Sequence, residues 1–592
     1  MSDLIYSSKK NKSRELQQIL KMFDPEKRKS IVAAEGPWGS IAFFENHYKN
    51  SEWVETDDYI AIMVGGPLIK TKNESFNTNN VQKFINAWNK KNEKFDEYVD
   101  GPFFFCFIDK NENKINAITD LMGFIPVYYS TGSETGELIL GTHVDAVAKA
   151  SKRSENIDYV SFADLIVNKT ITFPHTIYQR VFQAHPASCY TLDPSEHEIK
   201  KDRCYWLPKE EKRQNLDELA SRLEKSFAQS VSEITDGCAS AAVFVSGGED
   251  SRIVLDFMPS SVKKTGHLFL DDINRELTIA KKTASVYKID TKLGLRAKSY
   301  YLDQWLPVSL TQGSSSPAYH AHAYGMSRFL GLDQYDAVIG GLGADAYLKG
   351  SRVKNVHKYK FWGLKYRLDT LDKNNSSSDV FFENQPNSFI SKNVCEAVMK
   401  RRKKHKDYIA SFRPDSAVEW SELWPASMNE SMSNFFVHRR IFNNYEPFLQ
   451  NEVVKIAAAA PQEYKINRQL FHRAFKKHLK KSWHVSHTKG QLPYFSARTN
   501  FPIMAAIRTK RSLVEHVSKN KVNQDSWADF DSLVKDHKAY VTEELQQLNA
   551  SRLLAPLFDE KMGEEKLLET LSAKEILIVL QTAMLQNSLK SQ

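Results

Sequence analysis

The sequence has little of what marks secreted, disulfide-linked or zinc-binding proteins. Only five of its 592 residues are cysteines, and they lie far apart, at positions 106, 189, 204, 238 and 395. No C-x-x-C or Cys/His ligand spacing occurs, so neither a disulfide framework nor a zinc site is indicated. We expect buried or half-buried thiols in a reducing compartment.

Long apolar runs are absent as well. No run approaches the ~18–20 residues needed to cross a bilayer. The first residues, MSDLIYSSKKNKSRELQQ, lack the apolar centre of a signal peptide. These absences predict a cytoplasmic protein that does not engage membranes.

Charge of one sign is only slightly in excess. The net charge is +9, from 81 Lys and Arg against 72 Asp and Glu. Two basic runs stand out, MKRRKKHKD from Met399 and RAFKKHLKKSWH from Arg473. Such runs are usually solvated helix faces, although they also attract polyanions such as nucleotide phosphates or an acidic peptide. No nucleic-acid-binding module accompanies them, so nucleic acid is not an expected partner.

The length predicts two or three domains, and the residue pattern changes once. Residues 1–205 show short strands separated by Gly, Asn and Asp turns. After a charged linker and an amphipathic helix, residues 206–592 alternate strands with helices, which predicts a parallel sheet covered by helices. The polar stretch at about 370–390 is interpreted as a surface insertion, and the chain beyond it is predicted to be mostly helical.

One short segment carries the clearest chemical signal. In AAVFVSGGEDSRIVLDFM, which begins at Ala241, an apolar strand meets a helix through Ser246-Gly247-Gly248-Glu249-Asp250-Ser251. Such a junction points backbone N–H groups and a helix N-terminus at an anion. A carboxylate at Asp250 would repel phosphate, so we interpret it as a ligand of Mg²⁺ that bridges to the phosphates. The segment predicts Mg²⁺-nucleotide binding, without the lysine of a GxxxxGK[ST] loop.

This SGGxDS motif and four further segments, in the same order, resemble the asparagine synthetase superfamily of glutamine-dependent asparagine synthetases, β-lactam synthetases and lasso-peptide cyclases. The other segments are VDGPFFFCFIDKNENKINAITDLMGFIPVYYS, INRELTIAKKTA, DAVIGGLGADAYLKG and EPFLQNEVVKIAAAAPQEYK. The resemblance implies an α/β protein. Its residues 1–205 would form an Ntn-hydrolase-like αββα sandwich, and residues 206–592 a pyrophosphate-loop domain of the adenine nucleotide α-hydrolase kind, with a helical C-terminal part.

The resemblance also implies site residues. Asp250 and Asp345 match the two acids that hold Mg²⁺ in the family. The residues expected against ATP are Val245, Ser246, Gly247, Gly248, Asp250, Ser251, Phe269, Gly340 and Gly341. The chemistry implied is attack of a substrate carboxylate on the α-phosphate of ATP, release of pyrophosphate, and opening of the acyl-adenylate by an amine.

The N-terminal part departs from the family at its glutaminase site. The nucleophilic cysteine at position 2 is replaced by Ser2, and the opening MSDLIYSSKK is interpreted as lacking the family's short first strand. A hydroxyl beside an α-amine can still act as a nucleophile. However, the glutamine-binding Asn-Gly-Glu is replaced by Gly65-Gly66-Pro67, and of the substrate-side acids Asp100 is kept. We predict a glutaminase fold without glutaminase activity, which serves as a scaffold or docks a partner.

The synthetase part departs as well. Leu342 stands where the family has a Glu or Tyr that positions substrate or moves a proton. Arg468 takes the place of the lysine that stabilises the departing pyrophosphate, with Lys465 as the alternative. Glu446 occupies an apolar position of the family. It either supplies the acid lost at Leu342 or is a salt-bridged surface carboxylate.

Three functions follow from these features. The first is an ATP- and Mg²⁺-dependent ligase, similar to a cyclase, that joins a small-molecule or peptide carboxylate to an amine without glutamine; a precursor peptide or a partner protein is a further candidate partner. The second is an ammonia-dependent enzyme similar to asparagine synthetase. The third is a nucleotide-binding or regulatory module without turnover.

Overall fold

A computed structural model describes most of the chain. The described residues are 3–25, 31–44, 52–69, 81, 84–85, 99–131, 136–196, 198–211, 214–320, 322–357, 369–371, 390–517, 528–558 and 563–590. Ser2 and most of the predicted insertion at about 370–390 lie outside these ranges.

The first third of the chain forms two antiparallel sheets. The first sheet has the order β12-β10-β11-β1-β3-β2 and the second the order β14-β13-β9-β8-β5-β4, while β6 pairs only with β7. The strands are β1 (Leu4–Ser7), β2 (Ile31–Gly36), β3 (Gly39–Phe44), β4 (Glu52–Glu55), β5 (Tyr59–Gly65), β6 (Leu68–Ile69), β7 (Val99–Asp100), β8 (Phe103–Asp109), β9 (Lys114–Thr119), β10 (Tyr128–Ser130), β11 (Ile139–Gly141), β12 (Val181–Gln183), β13 (Ser188–Asp193) and β14 (Glu198–Cys204).

Successive side chains of a strand point to opposite faces of the sheet, which explains why the two sheets pack face to face. In β1, Leu4 and Tyr6 join the apolar core shared with Ile62 of the second sheet, while Ile5 points to the opposite side. On that side the first sheet is covered by α1 (Ser13–Met22), α2 (Val144–Ala150) and α3 (Tyr159–Asn168). The outer face of the second sheet packs against Val81, Phe84 and Ile85.

The prediction that the chain lacks an opening strand is wrong. Leu4–Ser7 is a fully buried strand in the interior of the first sheet, paired with β3 and β11. A four-residue strand flanked by Asp3 and by the polar run from Ser8 gives little local periodicity. Its state is fixed by pairing with residues more than thirty and more than a hundred positions away.

The second region is built on a parallel sheet, as its alternating pattern predicts. The order is β17-β16-β15-β18-β21, and every neighbouring pair is parallel. Its strands are β15 (Ser240–Phe244), β16 (Lys263–Leu270), β17 (Asp290–Leu295), β18 (Ala337–Ile339) and β21 (Asn444–Tyr445). A separate hairpin joins β19 (Asn355–His357) to β20 (Asp369–Leu371).

Helices surround this sheet and make up most of the later chain. They are α4 (Leu216–Thr235), α5 (Asp250–Phe257), α6 (Arg275–Tyr287), α7 (Tyr300–Asp303), α8 (Trp305–Gln312), α9 (Met326–Phe329), α10 (Lys392–Ala410), α11 (Ala417–Ser421), α12 (Ser433–Ile441), α13 (Asn451–Ala459), α14 (Gln462–Lys465), α15 (Gln469–Phe475), α16 (Ala497–Val517), α17 (Phe530–Asp536), α18 (Lys538–Gln547), α19 (Ala550–Leu554), α20 (Glu564–Thr570) and α21 (Ala573–Lys590). Among the described helices, none has the length and apolarity to cross a membrane. All five cysteines are free thiols.

Ion pairs, one of them fully buried, join the two-sheet region to the helices of the second region. Arg440 in α12 contacts both carboxylate oxygens of Asp3, at 2.8 and 2.9 Å. Arg401 and Arg402 in α10 reach Asp158 and Asp164, at 2.7 and 2.6 Å. The basic run that begins at Met399 is therefore partly an internal connection rather than only a solvated face.

Candidate active site

A cavity of about 530 Å³ opens at the carboxyl ends of the parallel strands β15, β16 and β18. This is the edge at which parallel α/β sheets place their ligands, because the loops after neighbouring strands meet there. Its lining includes ten of the residues singled out from the sequence: Val245, Ser246, Asp250, Ser251, Phe269, Gly340, Gly341, Leu342, Asp345 and Glu446.

The loop after β15 holds an internal anion. The backbone N–H of Gly247 donates to Oε1 of Glu276 at 2.5 Å, and the Thr488 hydroxyl donates to the other oxygen of the same carboxylate. A Cβ on Gly247 would overlap the Thr488 side chain. The loop thus offers an N–H to an anion as the motif predicts, and the carboxylate from the first turn of α6 occupies it.

The remaining loop contacts shape the backbone. The N–H of Gly248 donates to Oγ of Ser246 at 3.0 Å. The buried Arg252 guanidinium donates to the carbonyl oxygens of Gly247 and Val485, at 3.1 and 2.6 Å. Gly247 and Gly248 are not among the residues lining the cavity. The two Arg252 contacts hold the glycine turn against the segment that follows Trp483.

A cluster of three carboxylates around one ammonium forms the electrostatic centre of the site. Nζ of Lys349 lies 2.6 Å from Oδ1 of Asp250, 2.9 Å from Oδ1 of Asp345 and 3.3 Å from Oε1 of Glu249. The two predicted metal-binding aspartates, 95 positions apart in the sequence, thus converge on a single cation. The other oxygen of Glu249 pairs with Arg468.

These charged groups shift one another's pKa values. Burial, together with Asp345 and Glu249, raises the pKa of Asp250 to about 7 despite the contact with Lys349. The Lys349 ammonium lowers the pKa of Asp345 below its ordinary value. Burial alone would lower the pKa of Lys349, but the three carboxylates outweigh it and raise that pKa. The ammonium therefore stays charged at neutral pH, and Asp250 is more easily protonated than an ordinary aspartate.

The carboxylate pair fits a magnesium ion. Among the described residues no group of three His, Cys, Asp or Glu side chains is arranged to hold a metal. Mg²⁺ usually takes only one or two carboxylates in nucleotide sites, with phosphate oxygens and water completing its octahedron. Asp250 and Asp345 supply two such carboxylates, and the Lys349 ammonium contacts both of them.

Close contacts around the loop after β18 explain why glycine occupies positions 340 and 341. A Cβ on Gly340 would overlap the carboxylate of Glu446, and one on Gly341 would lie 2.7 Å from Cβ of Asp250. Oε2 of Glu446 accepts the backbone N–H of Leu342 at 2.8 Å. The Gly-Gly-Leu-Gly segment is therefore the surface on which two acidic side chains of the site rest.

Glu446 is not the salt-bridged surface carboxylate that we considered as an alternative. It is 5% exposed and lines the cavity. Burial raises its pKa to about 8, although the Leu342 N–H opposes the shift. A carboxyl group with a pKa near the working pH can both give and accept a proton, as acid–base groups do.

The two basic candidates for pyrophosphate stabilisation have different surroundings. Arg468 pairs with Glu249 at the edge of the carboxylate cluster and adopts a left-handed backbone conformation, with φ of 60°. Lys465 is fully buried, contacts Oε1 of Glu419 at 2.6 Å and lies over the Trp420 ring. Of these two side chains, only Arg468 contacts the residues of the glycine loop.

The far wall of the cavity is formed by Arg296, His322, Ser431, Asn434 and His438. Nδ1 of His322 contacts the Tyr301 hydroxyl at 2.7 Å. Burial lowers the pKa of His438 to about 3, so its imidazole is neutral, and its Nε2 has no hydrogen-bond partner within the described part of the chain. A buried polar atom without a partner inside a cavity is expected to meet ligand or water.

The segment that departs from the family's glutamine-binding residues lines a small cavity in the described part of the chain. Gly65 and Gly66 line a separate cavity of about 10 Å³, whose wall also includes Glu446. That volume is at the limit for one water molecule. Oδ1 of the buried Asp100 accepts the N–H of Asn451 at 2.5 Å at the start of α13. Asp100 therefore connects the two regions.

Lys349 and His438 were missed by the motif comparison. Lys349 lies four residues after Asp345, a spacing that places both side chains on one face of a helical turn, and this is the signal in the sequence that could have found it. His438 lies in α12, which no motif marks. Its place in the cavity depends on tertiary packing alone.

Comparison with known proteins gives one family match. Residues 68–206 match the model of a glutamine amidotransferase domain, which covers the later part of the two-sheet region and does not reach the parallel sheet. No curated protein matches the chain. A solved structure described as the allosteric regulatory enzyme of purine biosynthesis is 6% identical, with 59% of this chain and 76% of that chain covered and a TM-score of 0.22. A likeness at that TM-score is too weak to show a shared fold.

Proposed function

We propose that this protein is an ATP-dependent ligase that adenylates a substrate carboxylate, releases pyrophosphate and joins the acyl group to an amine. The convergence of Asp250 and Asp345 on one cation, at the mouth of a cavity above a parallel sheet, is the observation on which the proposal rests. The glutamine amidotransferase match supports the wider class of amide-forming enzymes. The five segments that resemble asparagine synthetases support the adenylating chemistry.

The residues of the cavity have separate roles in this reaction. ATP binds with its phosphates at the Ser246–Ser251 loop and its adenine near Val245 and Phe269. Asp250 and Asp345 would hold Mg²⁺, which would supply charge neutralisation for the pyrophosphate. Arg468 contributes a fixed guanidinium whose planar fork matches phosphate oxygens. Displacement of the Glu276 carboxylate then frees the N–H of Gly247 for phosphate.

Glu446 accepts the proton that the amine loses in the second half-reaction. An amine that opens an acyl-adenylate must lose a proton, and a buried carboxyl with a pKa of about 8 is close to the value that favours such transfer. Its contact with the Leu342 N–H holds it at the cavity wall. Glu446 thereby replaces the acid that the family carries at the position of Leu342.

The amine does not come from glutamine in this proposal. The segment Gly65-Gly66-Pro67 offers no carboxylate, the adjoining cavity holds about 10 Å³, and Asp100 is engaged by Asn451. A glutamine molecule has ten heavy atoms and is larger than this described cavity, which is close to the size of one water molecule. Incubation of the protein with glutamine and ATP should release no ammonia above the rate without protein.

The direct test is pyrophosphate release from ATP and Mg²⁺ with a panel of carboxylic acids, each with and without amines. We expect AMP and pyrophosphate, and a loss of at least about a hundredfold in Asp250→Asn, the size typical of a missing charge-stabilising group. Asp407→Asn, an exposed aspartate of α10, is the matched control. Production of ADP, or undiminished turnover in Asp250→Asn, would contradict the proposal. Aspartate with ammonium as the productive pair would instead identify the synthetase alternative.

A second candidate is a nucleotide-binding module without turnover. The occupation of the Gly247 N–H by Glu276, and of the metal position by Lys349, favours it. Calorimetry with ATP distinguishes the two. Tight binding with no AMP formed for any acid would support the module, whereas AMP formation excludes it.

A further inference from the structure

One face of α12 and of the turn before it forms part of the wall of the active-site cavity. Ser431, Asn434 and His438 all line that cavity, and we call these three residues the α12 wall. The backbone is helical from the turn Glu430–Met432 into α12. Spacings of three and four residues therefore place the three side chains on one side of the helix. The rise from Ser431 to His438 is about 10 Å, so the wall can contact a ligand at more than one point.

Two polar atoms of the α12 wall lack hydrogen-bond partners within the described part of the chain. They are Nε2 of His438 and Oδ1 of Asn434, and both atoms are buried. The Ser431 hydroxyl, by contrast, donates to Oδ1 of Asn429 at 2.9 Å. A buried polar atom without a partner costs about 1–3 kcal/mol. Because both side chains line a cavity of ligand size, these atoms point to a ligand with hydrogen-bonding groups.

Aromatic packing holds the His438 ring in place. Its centroid lies 5.8 Å from that of Phe244 and 5.1 Å from that of Phe442. Phe244 is the last residue of β15, and the glycine loop follows that strand. This end of the α12 wall therefore lies beside the loop that we assign to the phosphates of ATP.

The other end of the α12 wall lies at the segment after Lys349. Ser431 and Arg352 both donate to Oδ1 of Asn429, at 2.9 and 3.3 Å. A molecule that contacts the whole wall would thus extend from the end of β15 towards Arg352. The wall offers contacts beyond the glycine loop, where a second molecule bound beside the nucleotide could meet them.

The α12 wall itself carries no charge. Burial lowers the pKa of His438 to about 3, so its imidazole is neutral, and the other two side chains are an amide and a hydroxyl. Two arginines that line the same cavity are each paired with a carboxylate. Arg296 contacts Asp271 at 2.7 Å, and Arg352 lies 3.5 Å from Glu422. The wall therefore suits an uncharged polar group better than a carboxylate or an ammonium, whose desolvation would not be offset.

We propose that the α12 wall binds an uncharged hydrogen-bonding group of the substrate, an amide or a hydroxyl, at a distance from the reacting carboxylate. The assignment rests on the proposed function for the identity of the ligand as substrate. The Asn434 oxygen accepts an N–H or O–H of this group, and the neutral His438 ring offers a donor or an acceptor at Nε2 according to its tautomer. A site of this kind rejects analogues that lack the group, because its own buried atoms are then left unpaired. Asn434 and His438 are therefore specificity-determining residues.

The test uses acids that differ only at the end remote from the carboxylate. Succinamate carries an amide there, 4-hydroxybutyrate a hydroxyl, pentanoate a methyl group and succinate a second carboxylate. Saturation-transfer NMR measures their binding to the full chain without nucleotide. We expect succinamate or 4-hydroxybutyrate to bind about tenfold more tightly than pentanoate and succinate, which is the effect of one hydrogen bond to a buried group.

Two variants remove the hydrogen-bonding atoms at similar side-chain size. Asn434→Leu removes the acceptor, and His438→Phe keeps a ring between Phe244 and Phe442 without Nε2. Each should lower the affinity of the preferred acid to that of pentanoate. Gln547→Leu, which removes an exposed amide of α18, should retain the preference. Circular dichroism checks the fold of each variant, and His438→Phe decides the test if Asn434→Leu does not fold.

The preferred acid identifies the group, succinamate indicating an amide and 4-hydroxybutyrate an alcohol. Equal binding of all four acids, tighter binding of succinate, or no binding at millimolar concentrations would overturn the proposal. A loss of ATP affinity in either variant, measured by calorimetry, would overturn it as well, since the wall would then contact the nucleotide. A preference that depends on Asn434, in a protein that forms no AMP with any acid, would refute the proposed function and leave the assignment of the wall intact.

Discussion

At the residue scale, Lys349 determines how the candidate site responds to cations. Its ammonium contacts three carboxylates, of which one is also paired with Arg468. Two cationic side chains, Lys349 and Arg468, therefore face three carboxyl groups in this cluster. A divalent cation and the Lys349 ammonium would use the same oxygens of Asp250 and Asp345, so their binding is mutually exclusive at that position.

Replacement of Lys349 by Met should strengthen divalent-cation binding in the absence of nucleotide. The expected gain in Mn²⁺ affinity is at least about tenfold, equivalent to ~1.4 kcal/mol, because the competing ammonium is removed. Electron paramagnetic resonance of free Mn²⁺ measures it. Lys392→Met, an exposed lysine of α10, should leave the affinity unchanged. Weaker or unchanged binding in Lys349→Met, with the fold intact by circular dichroism, would contradict the shared position.

Glu446 should impose a pH dependence on amide formation. Its pKa is raised to about 8 by burial, so the ionised form, which can accept the proton of the amine, increases as the pH rises through that value. We expect kcat to rise with pH to a plateau above about pH 8. Glu446→Gln should lower kcat by about a hundredfold and remove this rise. A variant that retains the same pH profile would assign the profile to another group.

At the element scale, the two loops of the site differ in how far the sequence predicts them. The strand, glycine turn and helix around Ser246 follow from local composition, and the parallel topology brings the loop after β18 to the same edge. The Glu276 contact with Gly247 and the Lys349 contact with Asp250 could not be predicted in this way. Each joins segments whose separation is fixed only by how helices pack on the sheet.

The loop after β18 gives a steric prediction. Gly340→Ala places a methyl group into the carboxylate of Glu446, and crowding of this kind costs about 1–3 kcal/mol. We expect a lower free energy of unfolding in urea and loss of nucleotide binding. Gly563→Ala, where a Cβ has no neighbour within 4 Å, is the control. Adding Glu446→Ala to Gly340→Ala should recover most of the stability, and failure to recover it would place the strain elsewhere.

At the scale of the whole molecule, the order of regions was predictable and their attachment was not. Alternating strands before residue 205 and alternating strands and helices after it identify two kinds of sheet. The strand at Leu4–Ser7 was missed because its partners β3 and β11 are distant in sequence. The contacts of Asp3 with Arg440 and of Asp100 with Asn451 join the regions, and no sequence pattern predicts either pairing.

The Asp3–Arg440 pair should make the stability of the whole protein depend on acidic pH. Burial alone would raise the pKa of Asp3, but Arg440 and Arg439 outweigh it and lower that pKa to about 2. A depressed carboxyl pKa stabilises the fold above the unfolded value of about 4 and loses that effect as pH falls through the folded value. Between about pH 5 and pH 1, wild type should lose about 2 kcal/mol more unfolding free energy than Asp3→Asn. Urea denaturation followed by tryptophan fluorescence measures this difference, and Asp407→Asn should behave as wild type. Parallel pH dependences in wild type and Asp3→Asn would show that the buried pair does not couple protonation to folding.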